Sequence, residues 1–305
     1  MKRLLCIVSS LDTGGAETFM MKIFRGLPAE YKLDFIVSTD TGFYEKEVLS
    51  LGGKIYRIPL RTEHPIKTFN AIKKIVKDNN YQYVLKLCDT PIGFFDLLAA
   101  KMGGANKICV RSCNANSNEG KLKSLVNKML RPFFNMITDV KIAPSKLAAE
   151  YTFGYKAVNK NEVVFLHNAV DLDVYNYDSQ KRKKIREELN IKPEQLVVGH
   201  IGRFNYQKNH EFLLDIFSSI QSKRKDAVLL LVGDGEKKEE IISKIDRLGL
   251  TQNVILTGIR SDIPDLLSSM DVFVFPSFFE GMPNTIIEAQ ATGMPCILSD
   301  SITKE

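Results

Sequence analysis

The sequence predicts an α/β protein of two doubly wound, parallel-sheet domains, and three observations predict it. Short apolar strands alternate with helices along nearly the whole chain. A strand, glycine turn, helix unit opens the chain and recurs near its middle. The length, 305 residues, exceeds the size at which one hydrophobic core usually stays undivided. The boundary is placed in a polar stretch, giving domains of 1–175 and 176–305.

Residues 3–10 (RLLCIVSS) read as a buried strand. Gly14 and Gly15 follow it, where positive φ and close backbone approach are permitted, and a helix covers 18–27. Strands are then expected at 33–38, 54–58, 83–87 and 107–110, separated by helices at 43–51, 66–79 and 92–102. The strand at 107–110 runs into the polar loop Arg111-Ser112-Cys113-Asn114-Ala115-Asn116-Ser117-Asn118, at the sheet edge where open α/β folds hold their ligands. Strands at 141–144 and 162–166 complete the first sheet. The basic run 181–184 reads as a solvated helix start.

The second domain restarts with a strand at 196–201, the loop Gly202 to Asn209 and a helix at 210–220. Strands at 227–232 and 254–256 feed further glycine-bearing loops, and the strand at 272–275 feeds the most informative stretch, residues 278–295 (FFEGMPNTIIEAQATGMP). Two acids stand eight positions apart in it, Glu280 and Glu288, with Gly281, Met282, Pro283 and Asn284 between. A helix from Thr285 to Thr292, stopped by Gly293, gives the small-residue turn a helix N-terminus. Backbone N–H groups there can hold an anion or sugar hydroxyls. Arg203 and Lys208 share one loop at the same edge: a guanidinium binds phosphate oxygens two at a time, and an ammonium adds a point charge.

Composition is that of an ordinary globular protein, 44% hydrophobic and 26% charged, and no apolar run is long enough to span a bilayer. Residues 1–10 are broken by polar positions too early for a secretory signal. The five cysteines contain no C-x-x-C pair, which favours a reduced, cytoplasmic protein without a metal site. Residues 1–175 carry 25 Lys/Arg against 17 Asp/Glu, whereas 176–305 carry 17 against 19. The basic half is suited to an anionic surface or substrate. No nucleic-acid-binding pattern accompanies it. In 121–137, apolar residues recur at helical spacing beside Lys121, Lys123, Lys128 and Arg131 with no acid. Two readings stay open: an amphipathic helix packed on its own domain, or a basic surface meeting anionic lipid at the membrane.

The stretches Gly14-Gly15-Ala16-Glu17, Gly202–Phe217, Leu229–Glu236 and above all Phe275–Asp300, with its E-x7-E, resemble a family 4 glycosyltransferase of the bacterial capsular and exopolysaccharide type. The resemblance covers nearly the whole chain. It implies the GT-B fold: two Rossmann-like domains facing each other across a cleft, the first for the acceptor and the second for the donor. It further implies transfer of a hexose, with retention, from a UDP- or GDP-sugar to a lipid-linked or growing surface polysaccharide. By the same resemblance Glu280 contacts the donor sugar and Glu288 the ribose, while Arg203 and Lys208 hold the diphosphate. Backbone groups from Gly281 to Thr285 and of Gly14 and Gly15 face sugar and phosphates. No cofactor or metal is implied, and the triplet Asp171-Leu172-Asp173 is read as chance. The expected location is cytoplasmic, with a peripheral position at the inner face of the plasma membrane.

Two departures from the family pattern stand out. Relatives carry a run resembling H-S-H-N where this chain has Arg111-Ser112-Cys113-Asn114, putting Cys113 at a catalytic histidine's position; a thiol is a poor substitute for an imidazole. The chain also stops at Glu305, soon after the strand at 296–299, so the second domain is expected to be C-terminally truncated. Both features keep a second reading open, a nucleotide-sugar-binding protein without transferase activity. An epimerase or a phosphorylase on the same fold lacks assignable residues.

Overall fold

A computed structural model of the chain describes residues 2–88, 90–115 and 120–303. The chain divides into two compact units, one ending at His167 and the other starting at Asn168. The sequence places residues 168–175 with the first domain, whereas the structure groups them with the second. Their contacts give the reason: the Asn168 side chain donates to the Met282 carbonyl at 2.6 Å, and Tyr175 packs on the second unit's core.

In the first unit, strands β1 (Lys2–Ile7), β2 (Tyr31–Val37), β3 (Ile55–Arg57), β4 (Tyr83–Leu87), β5 (Lys107–Arg111), β6 (Val140–Ala143) and β7 (Val163–Phe165) form one sheet ordered β3-β2-β1-β4-β5-β6-β7. Every pairing in it is parallel. Helices α1 (Gly15–Gly26), α2 (Glu45–Ser50), α3 (Pro65–Asp78), α4 (Phe94–Met102), α5 (Lys121–Ile137), α6 (Lys146–Phe153) and α7 (Tyr155–Asn159) fill the connections. Separate apolar clusters lie on the two faces of the sheet, which is why its strands read as continuous apolar runs rather than as alternating patterns. At the rear of β2, the buried carboxylate of Asp34 is satisfied by Arg3, the Tyr81 hydroxyl and the Lys54 N–H.

The second unit opens with α8 (Ser179–Glu188). It continues with β8 (Val197–Ile201), α9 (His210–Lys223), β9 (Val228–Val232), α10 (Lys238–Arg247), β10 (Val254–Leu256), α11 (Ile263–Ser269), β11 (Val272–Phe275), α12 (Asn284–Ala291) and β12 (Cys296–Leu298). Its parallel sheet is ordered β10-β9-β8-β11-β12. β8 and β9 are buried along their whole length.

Helices α6, α7, α10 and α11 were not delimited by the sequence. The basic run 181–184 is more than a solvated start. Lys181 pairs with Asp265 at 3.2 Å and Arg182 with Asp271 at 2.6 Å. One turn on, the buried Arg186 guanidinium also holds Asp271, at 2.7 Å. That carboxylate additionally accepts the Val197 N–H, and it titrates below its ordinary range although burial opposes this. α8 is thereby riveted to the start of β8 and the end of α11.

Gly14 is a second difference. Its φ is −77°, so it does not use glycine's left-handed freedom. A Cβ there would lie 2.1 Å from a Glu17 carboxylate oxygen, the far end of a flexible side chain that folds back over the start of α1. Gly233 does require glycine. Its φ is +140°, and a Cβ would fall 2.1 Å from the Gly202 carbonyl oxygen. Gly233→Ala is expected to cost about 2–3 kcal/mol. Urea unfolding of the two proteins measures it, and equal midpoints would refute it.

Candidate active site

In both sheets the direction of strand succession reverses beside the first strand of the unit, and open α/β sheets bind ligands outside the carboxyl ends of strands at such a point. In the second unit the switch lies between β8 and β11. The loops that leave those two strands, 202–209 and 276–283, are knitted together. The Phe278 N–H donates to the Gln207 carbonyl and the Gln207 amide to the Phe279 carbonyl, each at 2.9 Å. Asn209 takes a left-handed conformation (φ 54°, ψ 47°), caps α9 by accepting the Phe212 N–H, and donates to the Pro276 carbonyl at 3.2 Å. The Tyr206 and Phe278 rings stack at 4.8 Å.

This knitting joins two residues 72 apart in sequence. The Lys208 ammonium lies 2.7 Å from Glu280 Oε1, with both side chains largely buried, and 4.4 Å from the centre of the Phe275 ring. A buried ion pair of this kind is costly to desolvate and strongly destabilising to break on one side only. Its place at a ligand edge favours a binding role over a stability role.

Under the pair lies a cluster that no motif in the sequence marks. His200, the inward residue near the end of β8, and His210, the first residue of α9, meet edge to face at 4.7 Å between ring centres. Both are buried, and Phe204, Phe273 and Phe275 close around them. His200 Nδ1–H donates to the Val274 carbonyl at 2.9 Å; His200 Nε2 and both His210 nitrogens have no hydrogen-bond partner among the described residues. Burial pushes His200 down to about 4 and His210 down to about 2, so both are neutral at pH 7. The signal in the sequence was two histidines bracketing one glycine-bearing loop. A Cβ on Gly202 would fall 3.1 Å from Lys208 Cε and 3.3 Å from His200 Nε2, so the lysine stem crosses this glycine just above the imidazole.

Arg203 differs from Lys208. Its side chain is exposed and has no partner among the described residues. Glu288 is buried on α12, four residues after the start of that helix. The N-cap of α12, Pro283, offers no side-chain acceptor to the first N–H groups, and Thr285 lies half-buried in the first turn. Asn168 steadies the turn before it, bonding the Met282 carbonyl through its side chain and meeting the Met282 sulfur at 3.4 Å through its N–H. Nothing in the sequence marks Asn168.

In the first unit, Gly14 caps α1 at the carboxyl edge of β1. Arg111 is buried with its guanidinium 3.6 Å from the centre of the Phe19 ring, and the half-buried Cys113 thiol is 3.8 Å from one of its nitrogens. Arg111 thus packs inward against α1. Asn116, Ser117 and Asn118 of this loop lie outside the described residues. Asp171 accepts the Asp173 N–H at 3.0 Å in an Asx turn.

The family described as Glycosyltransferase Family 4 matches residues 13–174, over half of the chain, and Glycosyl transferases group 1 matches 181–303. The chain belongs to glycosyltransferase family 4. Among relatives of this family 4 glycosyltransferase is EpsF of Bacillus subtilis (strain 168), 30% identical over 313 residues, spanning 100% of this chain and 80% of EpsF. The Escherichia coli UDP-Gal:alpha-D-GlcNAc-diphosphoundecaprenol alpha-1,3-galactosyltransferase is 29% identical over 77% of the chain and 62% of its own length. Other relatives act in capsular polysaccharide biosynthesis. The crystal structure of Anabaena HepE in complex with UDP-glucose superposes with a TM-score of 0.80 at 20% identity, covering 99% of this chain and 81% of HepE, and shows the shared two-domain GT-B fold. Among the described residues, no helix is long and apolar enough to cross a membrane.

Proposed function

We propose that the protein transfers a hexose, with retention at the anomeric carbon, from a UDP-sugar to a lipid-linked or growing surface-polysaccharide acceptor. The observation that carries this reading is the buried Lys208–Glu280 pair at the switch point, with the exposed Arg203 on the same loop. The UDP-glucose bound by HepE and the UDP-galactose and diphosphate-lipid substrates of the E. coli relative support the choice of donor and acceptor.

In this reading Glu280 keeps Oε1 on Lys208 and accepts donor-sugar hydroxyls at Oε2, while Glu288 takes the ribose. Arg203 and Lys208 neutralise the diphosphate as its bond to C1 breaks. Preorganised positive charge on a leaving group acts without reorganisation in the transition state, and one such donor is commonly worth about 2.7–4 kcal/mol. No metal is required, because two cations and the α12 N-terminus meet the diphosphate charge.

Incubation with UDP- and GDP-hexoses and a diphosphate-lipid-linked sugar tests this. Release of UDP that persists in EDTA, with an anomeric coupling constant in the product matching that of the donor, is expected. Turnover abolished by EDTA, or an inverted product, would refute the corresponding part. UDP binding without turnover of any donor would favour the non-transferring alternative.

A further inference from the structure

The imidazole of His200 has a fixed tautomer. Nδ1 lies 2.9 Å from the Val274 carbonyl, an oxygen that can only accept, so Nδ1 carries the proton and Nε2 keeps a bare lone pair. That lone pair is buried and has no hydrogen-bond partner among the described residues. The Val274 bond accounts for one nitrogen and leaves the other unexplained. Phe273 and Phe275 stack on the ring at 6.2 and 5.4 Å between centres, surroundings in which a phenylalanine would strand no acceptor. A buried acceptor without a donor is destabilising, so its presence at a ligand edge asks for a use.

The donor within reach is Lys208. A Cβ on Gly202 would stand 3.1 Å from Lys208 Cε and 3.3 Å from His200 Nε2, so the end of the lysine stem and the bare nitrogen face one point that glycine leaves open. The ammonium lies 4.4 Å from the centre of the Phe275 ring, which itself stacks on His200. Glu280 Oε1 takes one of the three ammonium N–H groups, at 2.7 Å. His210 meets His200 edge to face at 4.7 Å, and neither of its nitrogens supplies the missing hydrogen bond.

The kind of acceptor matters here. An ammonium held by a carboxylate alone forms a neutral unit, which attracts a diphosphate weakly. A neutral imidazole orients the same ammonium without cancelling its charge.

We propose that His200 is a positioning residue of the donor site. When a diphosphate arrives, Lys208 gives one N–H to Glu280, one to a phosphate oxygen and the third to His200 Nε2, which aims the ammonium at the leaving group. This rests on the reading of the edge as a nucleoside diphosphate site.

Nitrogen-15 NMR of the full chain with labelled histidine reads the bond directly, the His200 signals being assigned through His200→Gln. In the free protein Nε2 should resonate as a bare ring nitrogen. Saturating UDP, or GDP if that is the nucleotide bound, should move it to lower frequency while Nδ1 stays in place; the matching nucleoside, which has no phosphate, should leave it unmoved. Titration calorimetry gives a second readout. His200→Phe suits the aromatic surroundings but offers no acceptor, and should weaken diphosphate binding about tenfold. His200→Gln can put an amide oxygen in the place of Nε2 and should recover most of that loss. Both variants lose the Val274 bond, so the difference between them isolates the acceptor. An Nε2 resonance unmoved by saturating nucleotide, or equal affinities in wild type and His200→Phe, would overturn the inference and leave the diphosphate reading standing. Equal weakening in the two variants would also overturn it, by assigning the effect to the Val274 bond. Failure of the folded wild type to bind either UDP or GDP would overturn both readings.

Discussion

Glu280→Gln is expected to lower transfer about 10²–10³-fold while leaving the second unit folded. Glutamine keeps the volume and an acceptor oxygen for Lys208, so the contact at 2.7 Å survives as a hydrogen bond from the ammonium to an amide oxygen and only the carboxylate charge is lost. Lys208→Ala should lower transfer by a similar factor but differ in stability. It strands a buried carboxylate, at a cost of about 3–5 kcal/mol. Initial rates and urea unfolding on both variants check the pair of statements. Wild-type rates in Glu280→Gln would remove Glu280 from the reaction. Equal stabilities for the two variants would show that the pair is not held as described.

Acid should destabilise the second unit well before its carboxylates titrate. His200 and His210 have folded pKa values of about 4 and about 2, below the ordinary 6.5. The unfolded chain therefore takes up protons first as pH falls. Stability from the neutral pair is complete above pH 6.5 and is lost as pH falls through that value towards the folded pKa values. Between pH 7 and pH 5 the loss is about 4 kcal/mol, roughly half from each ring. His210→Phe replaces a ring that packs on Phe204 and whose own nitrogens have no partner among the described residues, so it should fold and should flatten this dependence by about half. Denaturant unfolding at pH 5, 6 and 7 measures both slopes. A wild-type stability independent of pH in this window would contradict the neutral, buried pair.

Much of the fold is legible because both sheets are parallel and covered on both faces, so their strands are uninterrupted apolar runs. The strands at 83–87, 254–256 and 272–275 and the helix at 121–137 have the bounds the sequence indicates. The helices α6, α7, α10 and α11 are short and mostly weakly patterned beside these runs. Spacing also placed Lys208, Glu280 and Glu288 at one sheet edge. It did not show that Lys208 and Glu280 form an ion pair, since the contact depends on two loops bonding through Gln207 and Asn209. The histidines were missed because a lone imidazole carries no signature until β8 is known to lie at the centre of its sheet. Periodicity located the stripe on α5 but not the direction it faces: Leu122, Leu125, Met129, Phe133 and Met136 are exposed, and Arg131 is turned inward to the Tyr151 carbonyl. That direction is set by Asn127, Arg131 and Asn135 reaching backbone groups far away in sequence.

The central claim is that the edge carrying Arg203, Lys208, Glu280 and Glu288 holds a nucleoside diphosphate, and Arg203 is the cleanest probe of it. The side chain is exposed and has no partner among the described residues, so its removal should leave the fold unchanged. Calorimetric titration of UDP into wild type and Arg203→Ala, each with its melting temperature, is the direct measurement. UDP binding in the wild type, weakened about tenfold or more in the variant at an equal melting temperature, is the predicted result. Equal affinity in the two proteins, or no binding of UDP or GDP by the folded wild type, would contradict it.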